Sequence, residues 1–329
     1  MTVVLALMVI YIHVASRAVG GYDKASFVYG FVFITQKLCA FAVYGFIFLS
    51  PAKYFAAPRA DSFRYGSFIL KRVRKIALPY ILWVFIYYIF FIWQGYFHFS
   101  VPELIKYLLT GELVAHLYFV VIIIQFYLLM PLWRWLAGLK TAPLAAITAV
   151  SFVITVISQV CFPGFAYSDR IFTSYLFFWL LGILCGSRYE AFVSFIKRRR
   201  FLLIIGSVIV AAHIILSYLS SRGSIRYPHG NVWQLVCVTA LIMLAFYFCV
   251  SIKPEKIPFW GLLQRISDSS FYIYLSHVLL IFIIDKYTPG FTITQNLSLR
   301  LILTFTVPTA LSISYTALKK KIQGRIQRA

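Results

Sequence analysis

Residues 2–17 read TVVLALMVIYIHVASR, an apolar run that carries a histidine, His13, near its far end. A helix on the surface of a soluble protein would show a polar stripe every three or four residues, and Val3 to Ile12 shows none. Such a run reads as a membrane helix. At a rise of 1.5 Å per residue, His13 stands about 18 Å along it from Met1. The hydrocarbon core is about 30 Å thick, so the imidazole lies at or past its midplane. A histidine at that depth must find a partner, line a wet cavity or do chemistry.

The rest of the chain repeats the pattern. Of 329 residues, 62% are hydrophobic and only 12% charged, which excludes a water-soluble domain and fits a polytopic membrane protein. Proline, glycine and charge clusters divide the sequence into about ten runs of spanning length. They fall at 2–18, 27–50, 76–97, 113–136, 142–161, 171–187, 201–220, 231–250, 268–286 and 298–318. The expected fold is therefore all-α, a single bundle of about ten transmembrane helices forming one integral-membrane domain over 1–329. No internal repeat is visible, which counts against a repeat-built transporter. The first run lacks the basic start and small-residue cleavage site of a signal peptide. Cys39, Cys161, Cys185, Cys237 and Cys249 are scattered, without CxxC or His–Cys spacing. They read as core fillers, with neither a disulfide frame nor a metal site.

A net charge of +22 invites a nucleic-acid partner, but its distribution points elsewhere. Lys53, Arg59, Arg64, Lys71, Arg72, Arg74 and Lys75 share one connection, Lys197 to Arg200 end another, and Lys319 to Lys321, Arg325 and Arg328 close the chain. The alternate connections hold little more than Lys106, Arg170, or Arg222 with Arg226. This is the positive-inside pattern, with both termini cytoplasmic; the partners it implies are membrane lipids, and nucleic acid is not among them. Within it, KRVRK (71–75) admits two readings. It is either an anchor whose long side chains reach the headgroups, or an anion clamp in which Arg72 and Arg74 grip phosphate with guanidinium forks.

Several motifs, in order, resemble the membrane acyltransferase-3 family. They are His13 in the first helix, AVYGFIFLSP (42–51) with Phe46 and Ser50 at family positions, FILKRVRKIALPY (68–80), HLYFVVIIIQFYLLMPL (116–132) and SFYIYLSH (270–277). YLFFWLLGILCG (175–186) fits the family's glycine-bearing helix. Tyr44 and Pro51 replace a family proline and glycine, and Thr2 stands where the family has an arginine eleven residues before the histidine. FYLL (126–129) and FFWLLGILCGSRYEAFV (177–193) carry a finer likeness to the membrane proteins of intercellular-adhesin operons, thought to modify poly-N-acetylglucosamine.

The resemblance implies a multi-pass enzyme of the bacterial cell (inner) membrane that O-acylates surface carbohydrate. Acyl-CoA, acetyl-CoA or succinyl-CoA, would be the donor substrate, with no permanently bound cofactor. Its phosphates would rest on Arg72 and Arg74, and a sugar or polysaccharide hydroxyl would approach from outside. His13 is the implied general base, since a neutral imidazole can accept that proton near neutral pH. Ser50, His116, Tyr274 and His277 form a secondary set, with Tyr274 or His277 as donors to the developing oxyanion.

Other roles compete for these residues. His116 opens the fourth run, where a structural role serves as well as a catalytic one. His277 also reads as a hydrogen-bonding residue directed at another helix. His213 reads as packing, and Lys37 as facing a wet cavity or an acid. Glu112, Asp169, Asp268 and Asp285 read as near helix ends, so no carboxylate is expected mid-span, as ion-coupled transport usually requires. A polysaccharide carrier or flippase without acyl transfer is the rival function. The charge pattern makes a direct forecast: cysteines placed at Ser224 and at Ala60 should label from opposite sides of intact cells, and same-side labelling would overturn the ten-helix count.

Overall fold

Inside hydrocarbon, backbone N–H and C=O groups have no water to pair with, and helices satisfy them segment by segment. The computed structural model describes residues 1–57, 63–160 and 167–326; Arg59, Ala60, Cys161 and Arg328, used above, lie outside that range. It is 84% helical, with no strand among the described residues, as that constraint demands. In chain order the helices are α1 (Thr2–Gly21), α2 (Phe27–Cys39), α3 (Ala42–Ala56), α4 (Tyr65–Arg72), α5 (Leu78–Trp93), α6 (Val101–Thr110), α7 (Tyr118–Leu128), α8 (Met130–Gly138), α9 (Thr141–Val160), α10 (Leu176–Ser187), α11 (Tyr189–Arg198), α12 (Phe201–Ser221), α13 (Gly230–Ser251), α14 (Trp260–Tyr287) and α15 (Ile293–Ile326).

Eight segments are long and apolar enough to cross a membrane, and two bent pairs raise the number to ten if each pair is one span. The bent pairs are α7–α8, at 61°, and the segment Phe172–Ser187 with α11, at 102°. The fourth expected run is thus a broken helix, and Pro131 at the start of α8 accounts for the break by lacking an N–H. One boundary moves outward. α14 begins at Trp260, ahead of the apolar run, and carries Arg265 and Asp268 along within it. Asp268, expected near a helix end, therefore lies well inside α14, where Lys320 meets it at 2.6 Å.

The described helices group into two compact units, Met1–Val43 with Arg199–Ala329, and Tyr44–Arg198. In the first, α1 packs against α2, α14 and α15. Ile10 and Val14 of α1 meet Ile273 and Ile281 of α14, with Leu297, Leu301 and Phe305 of α15 around them. Asp285, in the last turn of α14, binds both Arg17 of α1 and Arg300 of α15. One carboxylate thereby ties three helices together.

In the second unit, Trp179 of α10 stacks on Phe126 of α7 at 4.3 Å, and Trp133 donates its indole N–H to the Phe126 carbonyl at 2.7 Å. α10 presses on α3 so closely that a Cβ at Gly182 would collide with the Phe48 carbonyl, so only glycine fits there. Gly111 ends α6 in a left-handed conformation, φ 68°, with the Tyr118 backbone against it. That turn delivers Glu112 to Lys106 and to Arg170, which donates to it at 3.1 Å.

Desolvation works against the Glu112 carboxylate, but the hydrogen bonds from Lys106 and Arg170 outweigh it and hold its pKa below the ordinary value. A lowered native pKa stabilises the fold above the unfolded value, about 4.3, and that contribution is lost as pH falls through the native pKa. Glu112→Gln should therefore cost about 1 kcal/mol at pH 7, a figure discounted for the partial exposure of the network. Thermal unfolding in detergent should show parent and variant converging as the pH falls through the lowered native pKa of Glu112. An equal gap at pH 7 and below that pKa would show that the pair contributes nothing through its charge.

Candidate active site

Each unit contains one polar constellation built from residues that the sequence marked. In the first unit, α1 carries His13 and α14 carries His277, and the two imidazole rings lie 5.2 Å apart, centre to centre, tilted by 56°. His277 is fully buried, whereas His13 is half-buried. The Nδ1 atom of His277 sits 2.7 Å from the Tyr274 carbonyl oxygen and 3.3 Å from that of Ile273. A carbonyl can only accept, so Nδ1 carries the proton and Nε2 is the lone-pair nitrogen. A hydrogen bond to another helix was expected of His277; its Nδ1 is bound to carbonyls of its own helix. That assignment also changes what His277 can do. Its one neutral N–H is spent on the backbone, so it has none to offer an oxyanion from Nε2.

Tyr274, one turn before His277, is buried, with its ring 6.1 Å from the His277 ring. His213 is bound into a separate network. Its Nε2 donates to Gln234 Oε1 at 3.0 Å, and the Tyr227 hydroxyl donates to its Nδ1 at 3.1 Å. Lys37 rests over the Phe33 ring at 5.6 Å.

In the second unit, the basic motif straddles a change of helix type. Residues Val73–Ala77 form a π-helical turn between α4 and α5. Pro79, just beyond, has no N–H to give the Lys75 carbonyl, and a wider turn is one way the chain accommodates the loss. Arg64, Ser67, Phe68, Lys71 and Arg72 ahead of that turn, with Lys75 inside it, line a cleft of about 390 Å³, closed by Tyr54 and Phe63. Among the described residues, four cations and no carboxylate line it, a composition that suits an anion.

Arg72 is held there by aromatic faces, its guanidinium 4.9 Å from the Phe68 ring centre and 4.6 Å from that of Tyr127. Its Nε is buried without a hydrogen-bond partner among the described residues. Arg74, which the sequence paired with Arg72, lies within the π turn, is exposed and does not line the cleft. Ser50 shares a hydrogen bond of 2.9 Å with the Tyr127 hydroxyl, so this marked residue meets Arg72 through the tyrosine beneath it. His116 is buried edge-on against Tyr87, ring centres 5.7 Å apart, apart from the cleft's lining.

Three features escaped the sequence. Tyr127 joins Ser50 to Arg72, and its only signal was its place in the HLYF-to-MPL motif. Arg64, Lys71 and Lys75 share the cleft with Arg72, although charge density alone marked them as anchors. The bond of Asp285 to Arg17 and Arg300 joins residues far apart in sequence, beyond the reach of local pattern. Among the described residues, no group of three or more histidine, cysteine or acidic side chains could hold a metal ion.

A search of curated proteins and of solved structures finds no match to the chain. The family comparison does: residues 3–318 match the acyltransferase domain of the acyltransferase-3 family. That match spans nearly the whole chain and includes both the histidine pair and the basic cleft, and the chain belongs to this family of acyltransferases.

Proposed function

We propose that the protein is a membrane O-acyltransferase that moves an acyl group from cytoplasmic acyl-CoA to a hydroxyl of an extracytoplasmic carbohydrate, with His13 as general base. The observation that carries this is the pairing of half-buried His13 with a buried His277 whose tautomer its own helix sets. In the proposed step, His13 takes the proton from the acceptor hydroxyl as its oxygen attacks the thioester carbonyl carbon. The tetrahedral intermediate then collapses, the C–S bond breaks, and the CoA sulfur leaves with the proton returned by His13. His277 serves to orient the His13 ring.

The donor's phosphates are assigned to the cleft of Arg64, Lys71, Arg72 and Lys75, whose charge and aromatic walls suit a phosphorylated ligand. Arg72 supplies the fork, and Arg74 faces the membrane surface. The charge distribution supports a bacterial inner-membrane location with cytoplasmic termini. The donor is acetyl-CoA or succinyl-CoA, and the finer sequence likeness makes an N-acetylhexosamine polymer the first acceptor to try.

Release of free CoA from labelled acyl-CoA by purified protein, dependent on added glycan, separates this activity from a flippase, which leaves acyl-CoA intact. His13→Asn keeps a hydrogen-bonding group and loses the basicity, so turnover should fall by about 10² to 10⁴-fold while acyl-CoA still binds. Parental turnover in that variant would end the general-base assignment.

The two arginines separate further. Lysine cannot reproduce a guanidinium fork, and a charge-assisted hydrogen bond contributes about 1.5 to 3 kcal/mol, so Arg72→Lys should weaken acyl-CoA binding about 10- to 150-fold. Arg74→Lys should leave it near the parental value. Equal effects from both, measured by CoA titration, would move the donor site away from the cleft.

A further inference from the structure

We propose that Asp285 is a positioning residue for the His13–His277 pair, which it acts on through Arg17; the inference rests on His13 being the base. Arg17 stands one helical turn beyond His13 on α1, and Asp285 two turns beyond His277 on α14. Asp285 binds Arg17 with one carboxylate oxygen and Arg300 of α15 with the other. The side chains of Asp285 and Arg300 are 13% and 9% exposed, so this bond lies inside the packed helices, while the Arg17 guanidinium, half exposed, rests over Phe282 at 5.6 Å.

Against α14, the packing of α1 around the histidines is apolar, Ile10 and Val14 on Ile273 and Ile281, while its polar bonds next to His13, Tyr11 with Thr35 and the Ile12 carbonyl with Gln36, go to α2. Apolar packing does little to fix the depth or rotation of one helix against another in lipid, because the lipid chains are as apolar as the isoleucines. An ion pair is directional. Held at Arg17, α1 cannot turn or slide without giving up the carboxylate, and the ring of His13, one turn away, is held to the same setting. Arg300 completes the device. It occupies the second oxygen of Asp285, so the carboxylate itself is fixed and the α1 contact has a stationary partner.

The test separates geometry from activity. In the full-length chain with its native cysteines replaced, His13→Cys with His277→Cys should be joined by a two-carbon bis-methanethiosulfonate, and adding Asp285→Asn should sharply slow that cross-link. Ser269→Cys with Thr316→Cys, placed where those hydroxyls now hydrogen-bond at 3.1 Å across α14 and α15, should cross-link equally with or without Asp285 if the effect is local. In the otherwise native chain, Asp285→Asn should lower kcat about 100-fold, as a misplacement of about 1 Å can, with the acyl-CoA KM unchanged. Asp285→Glu, which keeps the carboxylate, should restore part of it.

Failure of the histidine-position cysteines to join in the parent overturns the proposal, and so does an undiminished cross-link without Asp285. Loss of both cross-links together also overturns it, since Asp285 would then be a general structural residue. A slowed cross-link with parental turnover leaves the positioning intact and removes the histidine pair from catalysis.

Discussion

A polar group buried in hydrocarbon has no solvent to fall back on, and many of those here bond within their own helix or to the helix beside it. The hydroxyls of Thr148 and Thr239 donate to carbonyls one turn back, His277 donates to Tyr274, and Ser50 pairs with Tyr127. These bonds are worth little individually, but an unmade one costs several times as much. Many polar residues accordingly lie on the seams between helices, while exposed ones such as Ser207 and Thr306 donate to carbonyls of their own helix. A side chain that must titrate or bind an anion can then be recognised by its place on a seam, beside a space it can reach.

The two constellations meet this demand in opposite ways. The histidine pair sits on the two helices whose Ile10, Val14, Ile273 and Ile281 pack together, and the His277 ring is held by carbonyls of its own helix. Among the described residues, the basic cleft gathers four cations without a counter-charge. Such a cluster repels itself, and the aromatic faces of Phe68 and Tyr127 offset part of that repulsion at Arg72 while leaving its hydrogen-bonding edge available.

The number and order of the spans were legible because the membrane dictates segment length, and Val3 to Ile12 is as clear a signal as a sequence offers. His13, Ser50, Arg72 and His277 were legible as motif positions. Their neighbours were not. Nothing local indicates that position 13 will face position 277, or that Asp285 will collect Arg17 and Arg300, because pairing of this kind depends on helix rotation rather than on composition. Arg72 and Arg74 looked equivalent for a related reason. A charge pattern counts residues, and only the backbone between them determines which way each one faces. The break at Pro131 was visible as a proline, yet an apolar run continues through it, and hydropathy carries no information about bending.

The π turn at Val73–Ala77 has a consequence for how the second unit tolerates change. A wide turn contains, in effect, one residue more than an α-helix of the same length, so it sets the phase of everything that follows. Wound as a plain α-helix with every residue kept, the segment would rotate α5 by about 100° relative to α4. Tyr80 and Tyr88, which now bond to the α6 backbone and to Ser100, would swing away from those partners, along with the buried side chains of Val84, Tyr87 and Phe91. The wide turn thus absorbs a surplus residue and keeps the cleft-bearing helix and the helix that anchors α6 in phase. A one-codon deletion inside the turn could relax it to α geometry with that phase kept, whereas the same deletion farther along α5 would re-index the rest of the helix.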